Sequence, residues 1–353
     1  MCVRSGDPRP DIAGTRSRIG CRKAGHYLED LLTALRLRPR TQAAGIVAIA
    51  TVLALSGCAS KKSTTATSPT SAAPSAAASA APSTAAAPSA AASSAADPAS
   101  LLPAAIKTAG VLNIATDASY APNEYFDTDG KTIIGLDVDL GNAIAAKLGL
   151  KANFQNVTFA AIIPALAASK YDLSLSSFTD TKAREATVDF VDYFNAGESL
   201  MVLAGNPKGV TGPDLSLCGL TIAVEKGTTE ESEIPALSKK CTDAGKKAIT
   251  GLSSDDQNGA NLALTSGRAD VGSADSPIAA YAVKQLAGKI QLAGQIYETA
   301  PYGIAIPKTP GLAPAIKAAL AAMIADGSYK TVLDKWGDDA GAITTPVING
   351  ATS

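Results

Sequence analysis

The segment "GLDVDLGNAIAAKLGL", residues 135–150, decides the fold. Apolar residues recur in it at helical spacing between Leu140 and Leu148, and a glycine follows where the helix should end. The runs on either side, "VLNIATD" (111–117) and "KANFQNV" (151–157), are rich in the β-branched and apolar residues typical of strands. A strand, a helix and a second strand in succession predict parallel strands with the helix packed on their sheet.

The same alternation continues along the chain and restarts once. A helix is predicted at 160–170, followed by strands at 171–177 and 199–205. The restarted series predicts strands at 220–227, 247–252, 268–275, 289–295 and 302–308, and helices at 228–240, 255–267, 276–287 and within 311–337. Two α/β units in succession predict two lobes, with a ligand bound in the crevice at the carboxyl ends of their strands.

Composition excludes several classes of function. The chain has 353 residues, of which 46% are hydrophobic, so it can bury a substantial core. From residue 58 onward it carries 22 basic and 28 acidic side chains, a net charge of −6, without a cluster of Lys and Arg, which argues against nucleic acid as a partner. The only histidine is His26, and the five cysteines form no C-x-x-C pair, so we expect no Ser-His-Asp or Cys-His site, no metal and no cofactor.

The N-terminal part predicts export. Arginines at 36–40 precede "AAGIVAIATVLALSG" (43–57), an apolar run too short to span a bilayer comfortably but of the right length for a signal peptide. The run ends in "LSGC" (55–58), which resembles the lipobox of bacterial lipoproteins. That resemblance implies that Cys58 is diacylated and becomes the new N-terminus. The alternative is an ordinary signal peptide followed by a chance cysteine.

Residues 58–100 are nearly all Ala, Ser, Thr and Pro, a composition that cannot form a core and predicts a disordered tether. A lipid at one end of the tether and a folded body at the other would hold the protein at the outer face of the membrane. Export also places Cys218 and Cys241 in an oxidising compartment, where we expect a disulfide between them. Two free buried thiols are the alternative.

Several motifs together resemble one family, the extracytoplasmic solute-binding proteins of family 3, which serve ABC-type importers of polar amino acids. The matching segments are "TDASYAPNEYFD" (116–127), "GLDVDLGNAIAAKL" (135–148), "IIPALAASKYDLSLSSFTDTKARE" (162–185), "VDFVDYFNAGESLMV" (188–202), "VEKGTTEE" (224–231) and "GRADVGSAD" (267–275). The resemblance covers roughly residues 107–340. It implies the type II periplasmic-binding-protein fold, in which two α/β lobes are joined by two crossover strands and close on a ligand in the cleft between them.

The resemblance also implies domain boundaries. The expected divisions are a lipoprotein signal segment (1–57), the tether (58–100), the first part of lobe 1 (101–202), lobe 2 (203–298), and a return strand with the C-terminal helices of lobe 1 (299–353).

A free amino acid carries a carboxylate and an ammonium, and a closed cleft must pair both charges. The family match places the carboxylate clamp at Arg184 and the partner of the ammonium at Asp275. The full set of ligand-binding residues implied by the resemblance is Asp117, Tyr120, Phe159, Ser176, Ser177, Thr179, Arg184, Thr228, Thr229 and Asp275. Arginine suits the clamp because its planar fork can donate two hydrogen bonds to one carboxylate.

Without the family match, these residues have more ordinary interpretations. Arg184 would be a solvated helix residue, one of only two arginines after residue 57. Thr228 and Glu231 fit a capping box, and Asp275 before Ser-Pro fits a helix N-cap. Tyr120 and the other aromatic, Phe159, would be core residues.

Selectivity is the least determined feature. The family commonly has Phe where this chain has Asn123, and often an acid where it has Ala160, so we expect a side-chain pocket of unusual polarity. Asp117 could pair with a basic ligand, but an aspartate there recurs across the family's specificities. The resemblance therefore implies a polar amino acid without saying which one.

The leading hypothesis is a lipid-anchored, monomeric receptor that passes a polar amino acid to a membrane permease driven by a cytoplasmic ATPase, and performs no chemistry. A second hypothesis is an enzyme on the same fold, a dehydratase of the cyclohexadienyl or arogenate type, for which Asp275, Glu225 and Glu230 would be the available acids. A third is a surface sensor that uses the same cleft to report an amino acid to a partner.

Overall fold

The computed structural model describes residues 97–352. The predicted signal segment, the lipidated Cys58 and most of the tether lie outside the described residues. Pro98–Leu101 form a short 3-10 helix capped by the Asp97 side chain, and Ala99 packs against the core of the first lobe. The last residues assigned to the tether therefore belong to the folded body. Within the described residues, no helix combines the length and apolar character needed to cross a membrane.

The strands and helices follow the predicted alternation. The strands are Val111–Thr116 (β1), Ser119–Tyr120 (β2), Glu124–Phe126 (β3), Ile133–Ile134 (β4), Lys151–Asn156 (β5), Leu173–Ser174 (β6), Val188–Leu203 (β7), Thr221–Glu225 (β8), Thr250–Ser254 (β9), Val271–Asp275 (β10) and Ile290–Pro307 (β11). The α-helices are Ala104–Ala109 (α1), Leu136–Lys147 (α2), Phe159–Ala167 (α3), Lys182–Glu185 (α4), Thr229–Asp243 (α5), Gln257–Thr265 (α6), Ser276–Gln285 (α7), Leu312–Asp326 (α8) and Ser328–Trp336 (α9). A second 3-10 helix spans Leu215–Leu217.

One eight-stranded sheet, in the order β5-β1-β6-β11-β7-β10-β8-β9, runs through both lobes. On one side β1 pairs in parallel with β5 and β6, and on the other β8 pairs in parallel with β9 and β10. Between them the long strands β7 and β11 pair with each other in antiparallel fashion and reach into both halves. The predicted fold, two α/β lobes joined by two crossover strands, is confirmed.

The crossover strands differ from the prediction in length. The strands expected at 289–295 and 302–308 are one continuous strand, β11, and the strand expected at 199–205 already begins at Val188. The pairing of β11 with β7 shifts register between Ala293 and Ala300, where the chain passes from one lobe to the other. The irregularity interrupts the alternation of apolar and polar residues, so the sequence pattern resembles two short strands. The small antiparallel sheet β2-β3-β4 was not predicted.

Each lobe has its own core. In the first lobe α2, α8 and α9 share one core with β1, in which Leu112, Leu140 and Leu320 are fully buried. In the second lobe the core around β8 contains the predicted disulfide, because Cys218 and Cys241 are bonded. The disulfide joins the segment before β8 to α5.

The chain after α9 runs along the free edge of β7, where Ile348 bridges to Val191 and Ala342 to Phe194. Near its end the Ala351 N–H donates to the Asp180 carboxyl at 3.2 Å. The carboxyls of Asp180 and Asp192 face each other there. Burial, followed by Glu185, raises the pKa of Asp180 to about 6, and burial, followed by Asp180, raises the pKa of Asp192 to about 7.

The Asp180 and Asp192 pair should make stability depend on pH. Because both pKa values are raised by folding, their contribution is fully present below about pH 4 and is lost as the pH rises through 6 to 7. Asp192→Asn removes one of the two titrating carboxyls, and its amide can still donate a hydrogen bond to Asp180. We expect it to reduce the loss of unfolding free energy between pH 5 and pH 8 by on the order of 2 kcal/mol. Urea unfolding at the two pH values measures this, with the exposed Asp243→Asn as control. An unchanged pH slope would contradict the raised pKa values of this pair.

Candidate functional site

A narrow cavity lies between the two lobes where the carboxyl ends of β6, β8 and β10 meet. Both lobes contribute side chains to its wall. The lining residues are Tyr120, Phe159, Ser177, Thr179 and Arg184 from the first lobe, and Thr228, Thr229, Glu230, Gln257 and Asp275 from the second. The structure thus brings together eight of the predicted ligand-binding residues in one place.

Arg184 is the one basic residue in the cavity wall. Its side chain is half-buried, and its guanidinium donates to the Thr179 carbonyl at 2.7 Å and, across the cleft, to the Gly227 carbonyl at 3.0 Å. Burial lowers the pKa of Arg184, while Glu230 and Asp275 act to raise it. The guanidinium stays charged at any ordinary pH. Arg184 is therefore a fixed cation that faces the second lobe and is not the solvated helix residue that its local sequence suggested.

The loop that carries Arg184 is held by backbone pairing. The Gly303 N–H donates to the Phe178 carbonyl at 2.8 Å, and the Asp180 N–H donates to the Pro301 carbonyl at 2.9 Å, which ties the loop to crossover strand β11. The Thr181 side chain then accepts from the Arg184 N–H and starts the single turn of α4. This cap fixes the direction in which the arginine leaves the loop.

A buried polar network supports the loop from below. Ser177 has a left-handed backbone (φ 49°), its N–H donates to the Asp137 carboxyl at 3.0 Å, and its hydroxyl accepts from the Asn123 amide at 2.9 Å. The Tyr193 hydroxyl lies within hydrogen-bond distance of both carboxyl oxygens of Asp137, at 2.7 and 2.8 Å. Asn123 was expected in the side-chain pocket, but it is 1% exposed and lies beneath the loop. Its amide donates to Ser177, so Asn123 supports the loop and does not line the cavity.

The turn between β8 and α5 forms the facing wall. Thr228 is the N-cap of α5, since its hydroxyl accepts from the Glu231 N–H at 3.2 Å. The Glu231 carboxylate accepts from the Gly227 N–H at 2.7 Å, one residue earlier than in a standard capping box. Gly227 has a φ of +87° and sits against Ala160 of the first lobe. Ala160 is therefore a contact between the lobes.

Asp275 ends β10 and precedes α7, yet its side chain makes no capping hydrogen bond. It is 8% exposed and faces the cavity together with Glu230, which is 6% exposed. Burial and repulsion from Glu230 raise the pKa of Asp275 well above its usual range, while Tyr302 and Arg184 act to lower it. Two acids in the second lobe thus oppose one arginine in the first.

Aromatic rings form the side of the cavity. Phe159 stacks on Phe178 with ring centroids 4.2 Å apart, and Tyr120 lies 5.6 Å from Phe159. The guanidinium carbon of Arg184 lies 5.5 Å from the Phe159 centroid and 5.2 Å from that of Phe178. The negative faces of these rings attract the guanidinium and help to hold it in place.

Two predicted residues do not line the cavity. Asp117 accepts from the Phe159 N–H at 2.8 Å and so caps the start of α3, and the Ser176 hydroxyl accepts from the Asp117 N–H at 2.8 Å. Asp117 and Ser176 therefore hold the start of α3 and with it Phe159, which forms part of the aromatic wall.

Two lining residues were missed as ligand-binding residues. Glu230 was considered only as an acid for the enzyme hypothesis, because an acid in the first turn of a helix is common. Gln257 begins α6, and its N–H donates to the Ser119 hydroxyl of the first lobe at 3.1 Å. Its sequence context shows only a helix start, so no local signal identifies it.

The cavity can bind a molecule that carries both charges. A carboxylate would pair with Arg184 and the N–H groups at the start of α5, and an ammonium with Asp275 or Glu230. Among residues 97–352, no three or more His, Cys, Asp or Glu side chains are grouped to hold a metal ion.

Two lobes, two crossover strands and a charged cavity between them define a bilobal solute-binding protein. The chain belongs to the bacterial extracellular solute-binding proteins, family 3, whose family model matches residues 112–339.

Two relatives illustrate the similarity in sequence. The chain is 36% identical over 241 residues to the arginine-binding protein ArgT of Corynebacterium glutamicum. The aligned region covers 68% of this chain and 78% of the relative. It is 34% identical over 209 residues to the ABC transporter glutamine-binding protein GlnH of Bacillus subtilis, covering 58% and 72% respectively.

Solved structures give the same result. An ancestral arginine-binding protein bound to arginine superposes with a TM-score of 0.60 at 34% identity, covering 64% of this chain and 98% of that one. An ancestral amino acid-binding protein, a precursor of cyclohexadienyl dehydratase, has a TM-score of 0.59 at 32% identity, covering 66% and 97%.

The Gly227 contact predicts a mutation that impairs closure. A Cβ at Gly227 would lie 3.1 Å from Ala160, so Gly227→Ala should hold the lobes apart and weaken ligand binding by about tenfold, or ~1.4 kcal/mol. Gly205→Ala is the matched control, because Gly205 has a similar φ of +81° but nothing within 4 Å of its added Cβ. Both variants should lose stability alike, and only Gly227→Ala should lose affinity in calorimetric titration with L-arginine, the ligand of the structural relative. Equal affinity in both would contradict the contact.

Proposed function

We propose that the chain is the receptor of an ABC-type importer, which binds a polar amino acid between its lobes and delivers it to a membrane permease driven by an ATPase. The observation that carries this proposal is the cavity in which Arg184 faces Asp275 and Glu230 across the two lobes. An amino acid zwitterion matches that arrangement of charge, and the cavity wall offers no imidazole for chemistry.

L-Arginine is the first ligand to test. An arginine-binding relative and an arginine-bound structure both support it, whereas the glutamine-binding relative shows that the family framework also accommodates a neutral amide. The residues shared by all such ligands would be Arg184 for the carboxylate and Asp275 for the ammonium. Tyr120 and Phe159 would flank the ligand side chain.

Arg184→Lys tests the carboxylate clamp. It keeps the positive charge but loses the planar fork, so binding of L-arginine should weaken at least thirtyfold, corresponding to roughly 2 kcal/mol or more. Calorimetric titration with the twenty amino acids, for the native chain and the variant, measures this. Arg268→Lys is the matched control, since Arg268 is exposed in the turn before β10. A native chain with no amino acid ligand would contradict the function, and a variant of undiminished affinity would contradict the clamp.

Cys58 would attach the receptor to the outer face of the membrane, where the protein acts as a monomer. The support is the "LSGC" sequence at the end of the apolar run. Cys58→Ser should move the protein from the membrane fraction to the medium of bacterial cells that express it. Cys21→Ser should not, because residue 21 lies within the removed segment. Membrane association that survives Cys58→Ser would contradict the lipid anchor.

The enzyme hypothesis has one observation in its favour: burial shifts the pKa of acids in the cavity upward, the direction that suits a general acid. Burial raises the pKa of both Asp275 and Glu230. Recovery of unchanged ligand from the complex would exclude this second function, whereas formation of product from a prephenate-like substrate would establish it.

A further inference from the structure

Beside Tyr120, at the wall of the cavity, the two lobes bring another pair of acids face to face. Asp117 follows β1 in the first lobe, and Glu225 is the last residue of β8 in the second. Their carboxyls approach each other, and the Tyr120 hydroxyl also approaches Glu225. Glu225 is therefore placed next to a ring that lines the ligand cavity.

Glu225 is buried without a partner. Its side chain is 1% exposed, and among the described residues neither carboxyl oxygen has a hydrogen-bond partner of acceptable geometry. Tyr120 is 4% exposed, and its hydroxyl likewise has no well-aligned hydrogen-bond partner among the described residues. An unpaired buried carboxyl is costly, so a group held in this way needs a compensating charge or proton.

No basic side chain supplies that charge. The titratable groups that face Glu225 are Asp117 and Asp256, both acidic, and Tyr120. Burial first, and then Asp117, raise the pKa of Glu225 to about 9, and burial raises the pKa of Asp117. Two carboxyls so close cannot both ionise unless a cation comes between or beside them.

We propose that Glu225 is a specificity-determining residue that, with Asp117 from the other lobe, recognises a positively charged ligand side chain such as a guanidinium. The inference rests on the proposed function and narrows its ligand from a polar to a cationic amino acid. A guanidinium presents parallel N–H donors to carboxylates and would satisfy the unpartnered oxygens of Glu225. Because each lobe supplies one of the two acids, the ligand's positive charge also favours closure of the lobes.

Because Asp117 and Glu225 cannot both be ionised in the closed cleft without a cation, the charge of the ligand side chain should determine how many protons this pair takes up on binding. When the lobes are apart, both acids meet water and are ionised at pH 7. Closure around a neutral side chain must add about one proton to the pair, because the pKa of Glu225 then rises to about 9. The affinity for a neutral ligand should fall by up to about tenfold per pH unit between roughly pH 5 and pH 9. Closure around a guanidinium adds no proton to this pair, so the affinity for L-arginine should depend less on pH than the affinity for a neutral ligand.

The experiment compares L-arginine with L-citrulline, its neutral isostere, by calorimetry of the full chain at pH 7. Titration in phosphate and in Tris, whose ionisation enthalpies differ, counts the protons taken up. We expect L-citrulline to take up about one proton more than L-arginine, because the other buried acids contribute equally with both ligands. The affinity ratio should favour L-arginine at least a hundredfold, or two pH units of the expected dependence. Glu225→Gln should lower that ratio at least tenfold and abolish the difference in proton uptake. Asp243→Asn, which removes an exposed charge from the same lobe, should leave both values unchanged.

The outcomes separate this inference from the function on which it rests. Glu225→Gln with an unchanged ratio, or equal proton uptake by the native chain with L-citrulline and L-arginine, would overturn the role of Glu225. Tight binding of a neutral amino acid but not of L-arginine would also overturn it, while leaving the receptor function intact. A native chain that binds none of the twenty amino acids would contradict both. The proton count uses the native chain alone, so it remains decisive if Glu225→Gln fails to fold.

Discussion

Arg184 projects a permanent positive charge from the first lobe into a cavity whose opposite wall carries two buried carboxyls, Glu230 and Asp275. These charges belong to different halves of the sheet, so their distance is set by how the crossover strands β7 and β11 hold the lobes. The guanidinium also bonds the Gly227 carbonyl across the cleft. A zwitterionic ligand would complete the pairing on both sides, which couples binding to closure through electrostatics and hydrogen bonding.

Neighbouring residues of the first lobe hold the Arg184 side chain in place. Thr179 and the two phenylalanines, Phe159 and Phe178, hold the guanidinium, while the cap at Thr181 fixes the turn that carries it. Beneath the loop, the buried hydrogen bonds to Asp137 and from Asn123 stabilise the left-handed backbone of Ser177. A site built on such supports is largely preformed in the first lobe, and the second lobe adds the acids.

The sequence was informative where function depends on short segments. Helical spacing in 135–150 and the order of strands led to the two-lobed fold, and family motifs led to eight of the cavity residues. Contacts between segments that are distant in the sequence were harder to predict. The continuity of β11 was hidden by its register shift, and Gln257 enters the cavity only because α6 meets Ser119 of the other lobe. Asn123 was misplaced because nothing local shows that its partner is Ser177.

Closure of the cavity without a ligand costs free energy, because it buries more acids than Arg184 can neutralise. Glu198, which is paired with Asp275 where β7 meets β10, has a pKa raised to about 10 by burial and by Glu230. The disulfide between Cys218 and Cys241 stabilises the second lobe that bears them. Stability and recognition are therefore linked: the groups that oppose closure are those that a bound cation or ammonium would neutralise.

One ligand should bridge the two lobes through opposite charges, and a crystal structure of the chain grown with L-arginine would test this bridging. We expect the ligand carboxylate on the Arg184 guanidinium at about 2.8 Å and its ammonium on Asp275 or Glu230 at a similar distance. A ligand bound to one lobe alone, or with its carboxylate away from Arg184, would contradict it.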